Sequence, residues 1–195
     1  MFSIKHIAFL LILVFGVYSQ QTSAQSAVGG YIDHEYKLKA AYIYNFIKYV
    51  EWAEEPADTF YIGILGQSEL TKLLSQVAAV RKAKGKTIVV HQYRRIKDFI
   101  REDIAAPAIN NCNILFISEA ITPYITNKKL EQLAAENILL IGEKEGFAKN
   151  GGLINFINLR NRLRFEINQS TLINCNFTIS PKLLKLAILV NEEDQ

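Results

Sequence analysis

Glu143, Glu145 and His91 come closest to a catalytic set in this sequence. The two glutamates follow the apolar run NILLIG (residues 137–142), and loops at strand ends are where α/β proteins often bind ligands. Paired carboxylates there could act as general acid and general base. No nucleophile or metal ligand lies near them in sequence, and His91 ends a different apolar run. A solvated loop and a structural histidine are therefore the simpler interpretation, and an enzyme using these three residues is the alternative.

The sequence lacks the motifs that would identify a common enzyme class. It contains no G-x-S-x-G nucleophile elbow and no H-E-x-x-H zinc pair. Gly63 and Gly66 do not complete a dinucleotide-binding motif, and Gly146 and Gly151 are not followed by the Lys-Ser/Thr of a phosphate loop. We therefore predict a protein that is not an enzyme and has no cofactor and no metal site.

The only two cysteines are a candidate disulfide pair. Cys112 and Cys175 open similar apolar stretches, NCNILFIS and NCNFTIS, and both could lie at strand starts on one edge of a sheet. A bridge requires Cα atoms roughly 4.4–6.8 Å apart. A Cys112–Cys175 disulfide and two buried free thiols are the alternatives.

The N-terminal segment predicts export. Lys5 precedes the apolar run IAFLLILVFGV (residues 7–17), and small residues follow it. This pattern is typical of a signal peptide, here residues 1–24 with cleavage between 19 and 27. The alternative is a retained anchor, but the apolar run is shorter than the roughly 20 residues that span a bilayer. We therefore expect a soluble exported protein that does not insert into the membrane after cleavage, in a compartment where disulfides persist.

Charge argues against a nucleic-acid partner. The 195 residues carry 22 Lys and Arg against 19 Asp and Glu, a formal net charge of +3. These charges are scattered along the chain and form no basic stripe of the kind that binds phosphate backbones.

The order of apolar runs predicts an α/β fold. Continuously apolar strands alternate with helical segments as far as residue 142, which is typical of a mostly parallel sheet with helices on both faces. The segments LINFINL and RLRFEIN then predict a C-terminal β-hairpin, and KLLKLAILV predicts a terminal helix. Further helices are expected at residues 36–52 and near 96–104. A single domain over residues 36–190 is the simplest organisation.

The helix predicted at residues 36–52 has an unusually wide apolar sector. Ile43, Phe46, Ile47 and Val50 share one arc that would bind the sheet. A second arc contains Asn45, Tyr49 and Trp52. Either the C-terminal hairpin and final helix cover this second arc, or it is exposed and binds a partner, a role for which Tyr and Trp are well suited.

Six motifs in order resemble the YfiR-like family of exported bacterial regulators. They are AAYIYNFIKYVEW, YIGILG, C-x-I-L-F-I, ILLIGEKEGFAKNGGLINF, RLRFEIN and SPKLLKLA, which together extend from Lys37 to Ala187. The resemblance implies a periplasmic α/β domain without catalytic activity. The best-known member of the family is a dimer-forming repressor of a membrane diguanylate cyclase, an enzyme that makes cyclic di-GMP, and disulfides modulate this repressor. Relatives are joined to, or encoded beside, membrane histidine kinases.

Only a few individual residues of this chain match positions that recur in the family. Cys112 matches a family cysteine whose partner in relatives lies in the first strand, but FYIGILG has no cysteine here. Cys175 matches no family position. Asn155 and Glu166 match recurring polar positions, and Glu166 could pair with Arg164 or cap a neighbouring backbone group.

The function predicted from the sequence is regulation by protein–protein interaction. The expected partner is the extracytoplasmic part of an inner-membrane diguanylate cyclase or histidine kinase, and a homodimer is a further expectation. The alternative is a periplasmic solute-binding module whose small-molecule pocket lies in the loops after Gly66 and Gly142.

Overall fold

The computed structural model describes residues 21–56, 58–94 and 112–191, with side chains described from residue 33 onward. The chain divides into two compact units, residues 1–36 and 37–195. The predicted signal segment lies largely outside the described residues, as does the helix expected near residues 96–104, and both stay predictions. Among the described residues, no helix combines the length and the apolar character needed to cross a bilayer.

A seven-stranded sheet forms the centre of the second unit. Its strands are β2 (Thr59–Leu65), β3 (Thr87–Tyr93), β4 (Ile114–Ile117), β5 (Leu139–Gly142), β6 (Ile154–Leu159), β7 (Arg162–Asn168) and β9 (Ile188–Val190). Their order is β3-β2-β4-β5-β6-β7-β9. Only β6 and β7 pair antiparallel, so the predicted mostly parallel sheet with a C-terminal hairpin is confirmed.

The helices are α1 (Gln21–Tyr49), α2 (Leu70–Val80), α3 (Asn127–Ala135), α4 (Gln169–Ile173) and α5 (Pro181–Leu184), with a 3-10 turn at Thr122–Tyr124. In the sheet, β3 lies on one side of β2 and β5 lies on the opposite side of β4. The β2–α2–β3 and β4–α3–β5 connections, each between parallel strands, therefore cross the sheet in opposite directions. Because such crossovers are right-handed, α2 and α3 lie on opposite faces. The predicted arrangement of helices on both faces is therefore confirmed.

The first arc of α1 packs on the sheet as predicted. Ile43, Phe46 and Ile47 are fully buried, as is Val50, which directly follows the helix. The Phe46 ring stacks on Phe156 of β6 at 6.1 Å between centroids and meets Phe165 of β7 edge-on at 5.2 Å. Because Phe156 and Phe165 are cross-strand partners, one aromatic side chain of the helix contacts both strands of the hairpin.

Both ends of α1 differ from the prediction. The helix begins at Gln21 rather than near residue 36, and it ends at Tyr49 rather than Trp52. The next three residues form strand β1 (Val50–Trp52), which pairs antiparallel with β8 (Phe177–Ile179) in a separate two-stranded sheet. The backbone N–H of Ser180 donates to the carbonyl of Tyr49 at 2.9 Å. The C-terminal third of the chain therefore converts the last predicted turn of helix into a strand.

The terminal helix is also shorter than predicted. Of KLLKLAILV, only the first residues belong to α5, and Ile188–Val190 form β9 beside β7. The β-branched residues at the end of this segment favour a strand once a sheet edge is available. The apolar run therefore extends the main sheet instead of covering it.

Candidate functional site

The carboxyl ends of β2 and β4 mark the topological switch point of the sheet. In open α/β sheets ligands bind in the crevice at such a point. Here, Gly66 follows β2 and Ser118 follows β4. A methyl group added at Gly66 would collide with the Ser118 side chain and with Ile121. The loops after β2 and β4 therefore pack closely against each other beside Gly66, and Ser118 Oγ is buried and finds no hydrogen-bond partner in the described part of the chain.

The loop after β5 is equally closed. Phe147 is 2% exposed, and its ring lies against both Gly142 and Gly152 so closely that a Cβ on either glycine would collide with it. The two loops in which we expected a solute pocket, after Gly66 and after Gly142, are thus packed where the structure describes them.

A buried ion pair joins α1 to the same edge of the sheet. Lys39 Nζ lies 2.9 Å from Glu143 Oε2, and the two side chains are only 6% and 8% exposed. The other carboxylate oxygen of Glu143 accepts a hydrogen bond from the backbone N–H of Glu119 at 3.4 Å. Glu143 is therefore held by these partners as a connection between helix and strand.

The three residues of the enzyme alternative do not share a cleft. Glu145 is exposed, whereas Glu143 is engaged with Lys39. His91 lies in β3, where its ring meets that of Tyr93 edge-on at 4.6 Å. Three strand spacings separate β3 from β5, which is about 14 Å at ordinary spacing. The arrangement does not bring His91 to the carboxylates.

The two cysteines are free thiols in separate environments, so the Cys112–Cys175 bridge expected as one alternative is not formed. Cys112 Sγ lies 3.6 Å from Tyr93 Oη in the core. Cys175 donates from its thiol to the carbonyl of Thr171, at 3.3 Å, one turn back in the chain. Burial raises the pKa of both thiols, that of Cys175 to about 12. The similar apolar stretches that suggested pairing belong to different sheets, β4 and β8.

The polar residues of the hairpin have structural contacts. Asn155 is fully buried and donates from its side-chain amide to Glu166 Oε2 at 3.1 Å across the β6–β7 pair. Arg164 donates to the carbonyl of Leu186 at 3.3 Å, and no Arg164–Glu166 ion pair is present within the described ranges. Glu166 therefore stabilises a buried amide on the partner strand, which differs from both contacts expected for it.

The second arc of α1 is divided between surface and core. Asn45 is exposed and Tyr49 is 37% exposed, so both remain candidate partner residues. Trp52, predicted with them, is only 4% exposed. It belongs to β1 and packs edge-on against Phe60 at 5.3 Å and near Phe177 at 6.2 Å. Of the two alternatives for this arc, exposure is therefore wrong for Trp52, because the change from helix to strand turns its side chain inward.

A groove of about 570 Å³ lies between α1 and α2. The α1 side is formed by Lys37, Ala40, Ala41, Tyr44 and Lys48, and the α2 side by Leu73, Gln76, Val77, Val80 and Arg81. Apart from Arg81, which directly follows α2, each set recurs every three or four residues and so forms one stripe of its helix. Tyr44 Oη donates to the carbonyl of Lys82 at 3.0 Å and so joins α1 to the segment that follows α2.

This groove combines an apolar floor with a basic rim. The small side chains of Ala40 and Ala41 leave space between the helices, and Val80 is 78% exposed. Lys48 Nζ lies 4.5 Å from the centroid of the Tyr44 ring. Lys37, Tyr44 and Lys48 form a polar side of α1 in the helical pattern, so the pattern alone did not indicate a groove there. The available signal was the pair of alanines within that same stripe.

The comparisons with known proteins identify one relationship. A family model described as YfiR/HmsC-like matches residues 36–188, a range that includes every strand of the sheet except the last two residues of β9. The search of curated proteins returned no match. On the strength of a match over most of its length, this chain belongs to the YfiR/HmsC-like family.

Proposed function

We propose that this chain is a non-enzymatic regulator in the periplasm that binds the extracytoplasmic part of an inner-membrane signalling protein. The partner would be a diguanylate cyclase or a histidine kinase, and binding would change its activity. The observation that carries the proposal is the YfiR/HmsC-like match over residues 36–188, because members of this family act as regulators together with membrane signalling proteins.

Two features of the structure support a binding role over chemistry. At the switch point, the usual ligand site of such sheets, Ser118 and Ile121 pack closely against Gly66. In addition, α1 keeps Asn45 and Tyr49 on the surface, and aromatic side chains of this kind are enriched at protein interfaces. These exposed side chains are available for contact with a partner protein.

The N-terminal sequence and the family together support a place of action in the periplasm. We propose that residues 1–24 direct export, that cleavage occurs between residues 19 and 27, and that residues 36–190 act as one domain in the periplasm. From there the chain can reach a partner only on the extracytoplasmic side of the inner membrane.

Co-purification tests the proposal. A C-terminally tagged chain is expressed in its own host, membranes are solubilised in mild detergent, and proteins recovered with the tag are identified by mass spectrometry. We expect enrichment of an inner-membrane diguanylate cyclase or histidine kinase over a control in which an unrelated exported protein carries the tag. Recovery of no membrane signalling protein would contradict the proposal.

A further inference from the structure

We infer that the groove between α1 and α2 is the docking site for an amphipathic helix of the membrane partner, with an apolar stripe flanked by acidic side chains. This inference rests on the proposed function and specifies the surface and the chemistry of the contact.

The shape of the groove favours a helix. Its walls are two neighbouring helices, and a third helix can pack between two others as helices do in bundles. On the α1 side the lining extends from Lys37 to Lys48, a rise of about 16 Å or three helical turns. A bound segment of that length would present three or four apolar residues at helical spacing, which is the usual form of helix-in-groove recognition.

The floor of the groove supplies the apolar contact. Ala40 is buried at its base, while Val77 is half-buried and Val80 is 78% exposed at its end. An exposed valine beside an apolar concave surface gains free energy when a partner covers it. Val80 is therefore the side chain whose burial most depends on an occupant.

The basic residues at the rim of the groove favour an acidic occupant. The described residues that line it include Lys37, Lys48 and Arg81 but no carboxylate. Lys48 and Arg81 are both exposed and lie on opposite walls. Glutamate or aspartate on both flanks of a helix would meet these cations, and such complementarity accelerates association and excludes basic competitors.

The same charges disfavour two other occupants. In a symmetric dimer formed through this groove, the same surface of each copy would meet, and the like-charged rims would repel each other. An anionic bilayer would attract the rim, but a flat membrane surface does not fill a concave groove between helices. A helical segment of a partner protein satisfies both the shape and the charge.

Site-specific photo-crosslinking in cells that express the full chain tests the inference. A benzophenone side chain is placed at Val80, in the groove, and at Ile173, which is 83% exposed on α4 and serves as the matched control. The crosslinked peptides are sequenced. We expect position 80, and not position 173, to capture an extracytoplasmic helical segment of a membrane signalling protein that carries acidic residues beside apolar ones.

Charge reversal provides the second arm of the test. Arg81→Glu and Val80→Glu should each lower the crosslinking yield from position 49, placed on the adjacent surface of α1, at least tenfold. Lys128→Glu, a reversal of an exposed lysine on α3, should leave it unchanged. Raising the salt concentration should weaken binding of the wild-type chain more than that of Arg81→Glu, because one rim charge is already lost.

The outcomes separate the inference from the proposed function. If position 173 captures the signalling protein and position 80 does not, the docking site is wrong while the function stands. If position 80 captures a second copy of this chain, a lipid or a basic segment, the inference is equally overturned. If none of the three positions captures a signalling protein, the proposed function itself is contradicted.

Discussion

Lys39 of α1 and Glu143, the residue directly after β5, form an almost completely buried ion pair with 2.9 Å between Nζ and Oε2. The pair links residues 104 positions apart in the chain. It ties the second half of α1, which carries the groove-lining residues, to the carboxyl edge of the sheet.

Removing one member of this pair should destabilise the domain strongly. Loss of a single partner leaves a buried charge without its counterion, so we expect Lys39→Met to lower the free energy of unfolding by about 3 kcal/mol or more. The double variant Lys39→Met/Glu143→Leu should lose much less, because no charge is left unmatched. Urea denaturation measures both, and equal losses in the single and double variants would argue against a buried, coupled pair.

Truncation of Trp52 should cost much more stability than truncation of Tyr49, although the two residues stand three positions apart. Trp52→Ala removes a buried aromatic side chain and should cost about 3–5 kcal/mol of unfolding free energy. Tyr49→Ala, at a partly exposed position, should cost about 1 kcal/mol or less. Chemical denaturation gives both values.

Trp52 also provides a spectroscopic check, since it is the only tryptophan of the chain. Its fluorescence should be blue-shifted and poorly quenched by acrylamide in the folded protein, and both properties should change on unfolding. A red-shifted, readily quenched emission from the native protein would place Trp52 on the surface, which was one of the two alternatives left open by the sequence.

Gly142→Ala should destabilise the loop after β5. The added methyl group would collide with Phe147, and overpacking of a closed core typically costs about 1–3 kcal/mol. Phe147→Leu should relieve part of this collision, so the effects of the two substitutions should not be additive in a double-mutant cycle. Strictly additive losses would mean that Phe147 does not occupy the space beside Gly142.

The thiols should be free and slow to react. Denaturing, non-reducing titration of the purified chain should find two thiols per molecule, whereas none on a monomeric chain would contradict the structure. In the native state both should react slowly at neutral pH, because burial raises the pKa of Cys112 and Cys175.

The raised thiol pKa also predicts a pH dependence of stability. The unfolded chain loses the Cys175 proton near the ordinary value of 9.0, whereas the folded chain retains it up to about 12. The contribution to stability is therefore complete below pH 9 and is lost as the pH rises through that window. Cys175→Ser should flatten this dependence in denaturation curves recorded from pH 8 upwards.

Sequence patterns were sufficient for the parts of the fold in which burial is uniform. The strands around Ile62, Phe116 and Ile141 are apolar on both faces because helices cover both, and this made the parallel sheet predictable. The buried arc of α1 at Phe46 and Ile47 was predictable for the same reason, since helical periodicity reports directly which side is covered.

The misplaced elements depend on contacts distant in sequence. Trp52 continues the helical pattern of α1, and only pairing with Phe177 makes it part of a strand. Ile188 continues an apolar helix-like run, and only the free edge of β7 makes it a strand. Local propensity cannot anticipate either outcome because the deciding partner lies at least 20 residues away.

The candidate site was the least predictable feature. The groove exists because Ala40 and Ala41 leave space opposite Val77 and Val80, and which residues of two helices face each other depends on how both pack on the sheet. The periodicity of one helix shows which of its sides is polar, but it does not show that a second helix packs beside that side.

The activity of the isolated partner, titrated with the purified chain, tests the central claim most directly. The partner is purified in detergent without this chain, and its cyclic di-GMP synthesis or autophosphorylation is measured against increasing concentrations of wild type and of Val80→Glu. We predict a saturable change in activity with the wild-type chain and at least a tenfold weaker effect with Val80→Glu. Partner activity that does not respond to the wild-type chain would contradict the account.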